Sequence, residues 1–404
     1  MSKIDSKSNV KGIKVCRIST VAFYIISQLW NQAEYLRNKG VDVTLVSSSG
    51  PELSEVKFTP GLRHESIEIP RAVNLWKDFI AFFKLTYFFT IHRFDIVHST
   101  TPKAGLLTSL AAFFTRVPVR IHTWTGQPWV SLRGPLRHVS RLADKLIGLL
   151  NTQCYADSKS QRQFLIDEKI IKSEKITVIG DGSLAGVEVD RFNPLRWSSS
   201  EKEKLRENLA ISEYSRVFIF IGRITRDKGI VELISAFSKV INSGYNSDLI
   251  LVGPLDQECG GKSSIDFNLI KQSPRIHYTR YQQCPESYLS ISDVFCLPSY
   301  REGFGTTVIE AAAMGLPTIG TRINGLIDAV HDGNTGILVP DHDVQALFEA
   351  MKKMLDDTDL MKKMGKAASQ RCLNLFDAKI LNEKLIKEYT RLLKMSKTKG
   401  LFRC

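Results

Sequence analysis

The segment KVCRIS at 14–19, apolar residues at helical spacing over 25–38, a stop at Gly40 and VDVTLVS at 41–47 read as a strand, a helix and a second strand. Two largely apolar strands joined by an amphipathic helix form a βαβ unit, whose strands run parallel. The same alternation extends outward, with strands near Ile67, Ile96, Val119 and Cys154 and helices near Phe79, Ala104, Val139 and Gln163. Regular alternation of this kind predicts a mostly parallel sheet with helices on both faces.

Over 190–212 the alternation breaks at Pro194, a serine run at 198–200 and a charged stretch at 201–207. It restarts at VFIFIG, 217–222, with strands near Ile219, Leu251, Phe295 and Thr318 and helices near Glu232, Tyr288, Glu310 and Leu347. The predicted fold is therefore α/β, two Rossmann-like lobes in series facing each other across a cleft. The first is expected over 1–190 and the second over 191–375. Residues 376–404 are read as a final helix and basic tail that packs back on the first lobe.

At 404 residues and 43% apolar composition the chain can build two such cores. The seven cysteines, Cys16, Cys154, Cys259, Cys284, Cys296, Cys372 and Cys404, include no C-x-x-C pair and read as cytosolic thiols. The first thirteen residues lack the apolar core of a signal peptide, and no stretch reaches the apolar length of a membrane span. The expectation is a cytoplasmic chain. Its 55 Lys plus Arg against 42 Asp plus Glu leave +13, a balance suited to phosphate-bearing partners such as nucleotides, nucleic acid or anionic lipid. The basic residues are dispersed and not interleaved with an aromatic platform, so nucleic acid is not expected as a partner.

The most informative segment for chemistry is SYREGFGTTVIE at 299–310, a strand end, a glycine-bearing turn and a helix start. Gly303 and Gly305 allow close approach of backbone to a ligand, and the helix beginning near Thr306 turns free N–H groups and a positive dipole end toward it. A diphosphate suits that position. Glu310, one turn beyond Thr306, can accept hydrogen bonds from vicinal hydroxyls such as those of ribose, and Glu302 is placed for a second hydroxyl-bearing ring. Earlier, GRITRDKG at 222–229 puts Arg223 and Lys228 after an apolar strand. Cations at such strand ends lie where open α/β sheets bind ligands and can neutralise a departing diphosphate.

Together with CLPSYREGFG at 296–305, EAAAMGLP at 310–317 and NTGILVP at 334–340, these motifs make the chain resemble the family 4 retaining glycosyltransferases of GT-B fold. Weaker resemblance covers the first lobe through DIVH at 95–98, PKAG at 102–105 and GVEVDRF at 186–192. The resemblance implies that Arg223 and Lys228 hold the donor diphosphate and, with Glu302, form the catalytic set. It implies that Glu310 binds the ribose. Glu302 and the backbone of Gly303, Phe304 and Gly305 would hold the sugar, with Gly222, Thr306 and Thr307 completing the donor site and residues 276–281 beside the base. The implied reaction moves a hexose or N-acetylhexosamine from a nucleoside diphosphate, UDP by expectation, to a glycan or polyprenyl-diphosphate-linked acceptor, with retention and without metal or other cofactor. Alternatives are a nucleotide-sugar epimerase or hydrolase of the same fold, a basic nucleic-acid-binding protein and a silent subunit.

Several strings invite other readings. DHD at 341–343 and DTD at 357–359 precede helical patterns and read as helix caps and not as metal ligands. GGKS at 260–263 lacks the upstream glycine of a P-loop, Asp256 standing there, and no glycine follows the first strand as a dinucleotide fingerprint requires. Where the family carries a histidine after the fifth strand this chain has Thr125, and His122 reads as structural. Ala185 and Glu188 also depart from the family pattern at the lobe junction. Finally, Trp76, Phe79, Ile80, Phe83 and Tyr87 share one helical face, read first as core-facing. The surplus Phe82, Phe88 and Phe89, with Lys77, Lys84 and Arg93, keep open a helix lying on an anionic membrane, and so a peripheral enzyme at the inner face of the cell membrane.

Overall fold

In the computed structural model, β1 (Lys14–Ile18) is an interior strand of a seven-stranded sheet with β2 (Asp42–Ser47), β3 (Arg63–Ser66), β4 (Ile96–Thr100), β5 (Val119–Trp124), β6 (Gln153–Ala156) and β7 (Ile176–Val178). Residues 10–50, 52–55, 60–255, 270 and 273–398 are described. Cys259, Cys404, the glycine-rich string at 260–263 and the end of the basic tail lie outside them. The strand order is β3-β2-β1-β4-β5-β6-β7, and every pairing is parallel. β1 shows why: Val15, Cys16 and Ile18 are all fully buried, as in a strand covered on both faces. The chain enters the following helix without a glycine loop, through Ala22–Tyr24, a π-helical turn at Ile25–Leu29 and Trp30–Asn38, and leaves it at Gly40 with φ 90°. β7 is too short to stand out in the sequence pattern.

The chain forms two compact units, residues 1–185 with 378–404, and 186–377. The sequence pattern puts the junction at 190/191; in the structure Val187 already bridges Asp377 and, with Phe192, is buried in the second core. The helix Ala378–Thr398 belongs to the first unit, where Leu381, Leu385, Ile386, Tyr389, Leu392 and Leu393 join the core beside β1 and β2. Buried polar contacts fix its register. The Tyr389 hydroxyl lies 2.8 Å from His98 Nδ1 and accepts from Arg17, Tyr155 donates to Glu388 at 2.8 Å, and the Gln32 amide donates to Asn382 at 3.0 Å. Leu385→Ala is expected to destabilise the first unit by about 2–5 kcal/mol in urea denaturation, through lost burial and a cavity at a fully buried site.

The second unit repeats the plan with six parallel strands. They are β8 (Arg216–Ile221), β9 (Ser247–Val252), β10 (Ile276–Tyr278), β11 (Val294–Leu297), β12 (Thr318–Thr321) and β13 (Gly336–Val339). Their order is β10-β9-β8-β11-β12-β13. The short strands β10 and β13 and the helix Thr358–Leu375 are additions to the sequence reading. The two Asp-x-Asp strings are caps: Asp343 accepts from the Ala346 N–H and Asp357 from the Leu360 N–H, each at 2.8 Å.

One expectation is reversed. In the helix Leu75–His92, Trp76, Phe79, Phe83 and Tyr87 do not face the core but are 72%, 55%, 51% and 71% exposed, while Ala81, Leu85, Phe88 and Phe89 are buried. The sheet takes the narrow face of small and branched residues plus two phenylalanines, because Ala81 and Leu85 let the helix approach Ala104, Leu107 and Ala111 of its neighbour. Among the described residues no helix is long and apolar enough to cross a membrane.

Candidate active site

In the second unit the chain runs from β8 to β9 toward one edge, while β11, on the other side of β8, leads toward the opposite edge. The carboxyl ends of β8 and β11 therefore flank the point where the strand order reverses, the position at which doubly wound sheets form a ligand crevice. Both sequence motifs are there. GRITRDKG follows β8 and PSYREGFG follows β11.

Backbone packing locks the two loops together. Gly229 adopts φ 70°, and a Cβ there would lie 2.0 Å from the Pro298 carbonyl oxygen. The Tyr300 N–H donates to the Asp227 carbonyl at 2.9 Å. Gly229→Ala is expected to destabilise the second unit by about 2–4 kcal/mol in urea denaturation, since a side chain adds a left-handed backbone cost and forces the loops apart.

Side chains gather between these loops. Lys228 pairs with Glu302 at 2.5 Å, the two side chains being 18% and 13% exposed, and Ser299 donates to the same Glu302 oxygen at 2.8 Å. Asp227, which the sequence reading passed over, sits among the cations. Burial pushes its carboxyl up, but the Thr225 hydroxyl and the charges of Lys228, Arg223 and Arg301 outweigh burial and hold it below its ordinary value. Arg223 is solvent-exposed beside this cluster. Gly222 leads into the loop, where a Cβ on Gly253 would strike its carbonyl oxygen at 1.8 Å, so two backbones cross closely at the crevice floor.

The turn after Glu302 carries Gly303, Phe304 and Gly305 into the helix Thr306–Ala313. Gly305, at φ 91°, is the N-cap and offers no side chain, so no side-chain cap occupies the helix start. Thr306 and Thr307 open the helix and are half-buried. Phe304 points away, 2% exposed, with its ring 5.2 Å from that of Phe376. It anchors the turn in the core of the second unit.

Glu310 lies one turn further, half-buried, apart from the Lys228–Glu302 pair and near a second charged group. Arg191 grips Glu286 through two contacts of 3.0 Å. Burial pushes the Glu310 carboxyl up to about 7, with Glu286 and Glu188 adding to the shift and Arg191 opposing it. A carboxyl buried beside other carboxylates, with the nearby Arg191 committed to Glu286, has capacity to accept hydrogen bonds from a ligand. Arg191 and Glu286 were invisible in the motif because 95 residues separate them. The expected base-side stretch includes the edge strand β10.

In the first unit, Thr125, the residue at the family's histidine position, hydrogen-bonds Tyr24. His122 is buried, lies 2.9 Å from the Ser99 hydroxyl, and occupies space that a Cβ on Gly105 would fill, at 2.4 Å from the ring. Burial lowers its pKa to about 3, which leaves it a neutral packing residue.

Comparison with known proteins fits this architecture. The family described as Glycosyl transferases group 1 matches residues 201–371, and Glycosyltransferase Family 4 matches residues 27–182. The capsular polysaccharide biosynthesis glycosyltransferase CapM of Staphylococcus aureus is 34% identical over 392 residues, covering 96% of this chain and 100% of that protein. The chain belongs to the family 4 glycosyltransferases. The UDP-Gal:alpha-D-GlcNAc-diphosphoundecaprenol alpha-1,3-galactosyltransferase of Escherichia coli is 26% identical over 349 residues, 85% of this chain and 87% of that one. Among solved structures, Anabaena Alr3699/HepE in complex with UDP and glucose superposes with a TM-score of 0.76 at 17% identity, covering 93% of this chain and 99% of that one. The fold of this glycosyltransferase is accordingly GT-B.

Proposed function

We propose that this glycosyltransferase moves a hexose or N-acetylhexosamine from a UDP-sugar to a polyprenyl-diphosphate-linked glycan during polysaccharide assembly, with retention and without a metal. The observation that carries the reading is the placement of Arg223 and Lys228 with Glu302 at the strand-order reversal, beside a helix start with no side-chain cap. The relatives support the substrate class: one is named for capsular polysaccharide biosynthesis, another for a UDP-sugar donor and a diphosphoundecaprenol acceptor.

The hardest step is breaking the bond from the anomeric carbon to the diphosphate oxygen. The electron pair leaves with the diphosphate, so the catalyst must stabilise negative charge there. In this reading Arg223, Lys228 and the N–H groups at the helix start do so, supplying the positive charge that a divalent ion would otherwise provide. Glu302, held by Lys228 and Ser299, receives hydroxyls of the sugar ring, and Glu310 receives those of the ribose. The acceptor hydroxyl then bonds to the anomeric carbon on the face the diphosphate leaves, its proton passing to the departing phosphate oxygen. Retention follows without a covalent sugar–protein intermediate.

Titration calorimetry with UDP in excess chelator tests the donor half. Binding is expected in wild type, and no binding would end the UDP reading. Incubation with a UDP-sugar alone is expected to leave it intact; release of free sugar or an epimer would instead mark a hydrolase or epimerase.

A further inference from the structure

We propose that the outward faces of three helices in the first unit, Leu75–His92, Pro102–Phe114 and Pro135–Leu150, form a docking surface for an anionic phospholipid bilayer. The surface stands on its own geometry; its use to reach a lipid-linked acceptor rests on the function proposed above.

The three helices are neighbours, since Pro102–Phe114 packs against both of the others. Their inner faces supply one side of the core, and their outer faces are apolar as well. Ring contacts run without a break across the first two helices. Trp76 lies 6.2 Å from Phe79, Phe79 is 4.5 Å from Phe83, Phe83 is 5.2 Å from Phe82, and Phe82 is 6.0 Å from Phe114. On the third helix Leu136, Val139 and Leu142, spaced three apart, are 61%, 62% and 58% exposed. Isolated exposed apolar residues are ordinary, but a linked aromatic row flanked by further aliphatic side chains marks an interaction surface.

The charges around it select the partner. Exposed Lys77, Lys84 and Arg93 accompany the first helix, and exposed Arg133, Arg137 and Lys145 the third. The three helices hold only two acidic residues. Asp78 is ion-paired with Lys103 at 2.7 Å, and Asp144 is buried, accepting the indole N–H groups of Trp124 and Trp129. The surface is thus aromatic and aliphatic at its centre and mainly positive around it, with no exposed acidic side chain on the three helices and with exposed Glu68, on the segment beside them, offsetting part of the charge of Lys84 and Lys77. Tryptophan and tyrosine suit the headgroup boundary, and lysine and arginine stems extend to lipid phosphates. A second copy of this chain fits poorly, because a two-fold contact would set this positive surface against itself.

The test is sedimentation of the full chain with vesicles of equal parts phosphatidylglycerol and phosphatidylcholine, and with phosphatidylcholine alone. Wild type is expected to sediment with the anionic vesicles, more weakly with the neutral ones, and less at high salt. A triple variant, Trp76→Ser, Phe79→Ser and Phe83→Ser, removes only exposed rings and is expected to partition at least about tenfold more weakly. Lys77→Glu with Lys84→Glu should act in the same direction on anionic vesicles only. The surface is overturned if wild type stays in the supernatant, if the triple variant partitions like wild type, or if the rings instead support self-association that the triple variant abolishes in the absence of lipid. UDP calorimetry on the same proteins separates the two readings. A wild type that binds UDP but not vesicles rejects the surface alone, and one that binds vesicles but not UDP rejects the donor site alone.

Discussion

Lys228→Ala is expected to lower kcat/KM for sugar transfer by roughly 10²–10³-fold while weakening UDP binding by about tenfold or less. The asymmetry follows from where charge develops. Bound UDP-sugar already carries its diphosphate charge, but cleavage of the anomeric bond adds a further share to the leaving oxygen, and a cation aimed there is worth more in the transition state. The ion pair with Glu302 complicates the measurement, because both partners are largely buried and removing Lys228 strands a carboxylate. Urea denaturation should therefore show Lys228→Ala destabilised, and adding Glu302→Gln should recover stability without recovering rate. Arg223→Ala, at an exposed position, should lose rate with little change in stability. Equal losses in UDP affinity and in kcat/KM for Lys228→Ala would assign it to donor binding alone.

The parallel α/β architecture was legible because strands such as β8 and β11 are nearly unbroken apolar runs and the segments that follow β1, β4 and β8 have helical spacing. What escaped was short or shared between distant segments. β7 and β10 have three residues each, too few for any period to show. Asp227 stood in plain view between two cations, but a motif reading ranks residues by spacing and cannot tell that a carboxyl will be surrounded by Lys228, Arg223 and Arg301. The partnership of Arg191 with Glu286 depends on bringing a turn near the lobe junction against the helix Pro285–Leu289. The helix Leu75–His92 failed for a different reason. It is apolar on more than one face, so its period shows that it is a helix without showing which side meets the sheet. Close approach through Ala81 and Leu85 decides that, and the larger aromatic set is left outside.

Glu310→Gln separates a carboxylate kept for ligand from one kept for the fold. Burial raises the Glu310 carboxyl to about 7 from an ordinary 4.5, so in the free protein it is half protonated near neutrality. Ribose hydroxyls donate, and a carboxylate accepts from both where a protonated carboxyl must spend one oxygen as a donor. UDP affinity in wild type should therefore rise as pH increases from about 6 to about 8 and then level off, with proton release on binding. In Glu310→Gln that rise should be absent and affinity at pH about 8 should fall roughly ten- to hundredfold, the worth of hydrogen bonds to a charged acceptor. Stability runs the other way. The native state holds the proton that the unfolded chain has already released, so Glu310 costs stability progressively as pH rises from 4.5 to about 7, and the full cost remains above that. Glu310→Gln should then be more stable than wild type at pH about 8, by roughly 2–3 kcal/mol, and little different at pH about 4. Wild-type pH dependence of UDP binding in the variant would remove Glu310 from the ribose site, whatever its effect on stability.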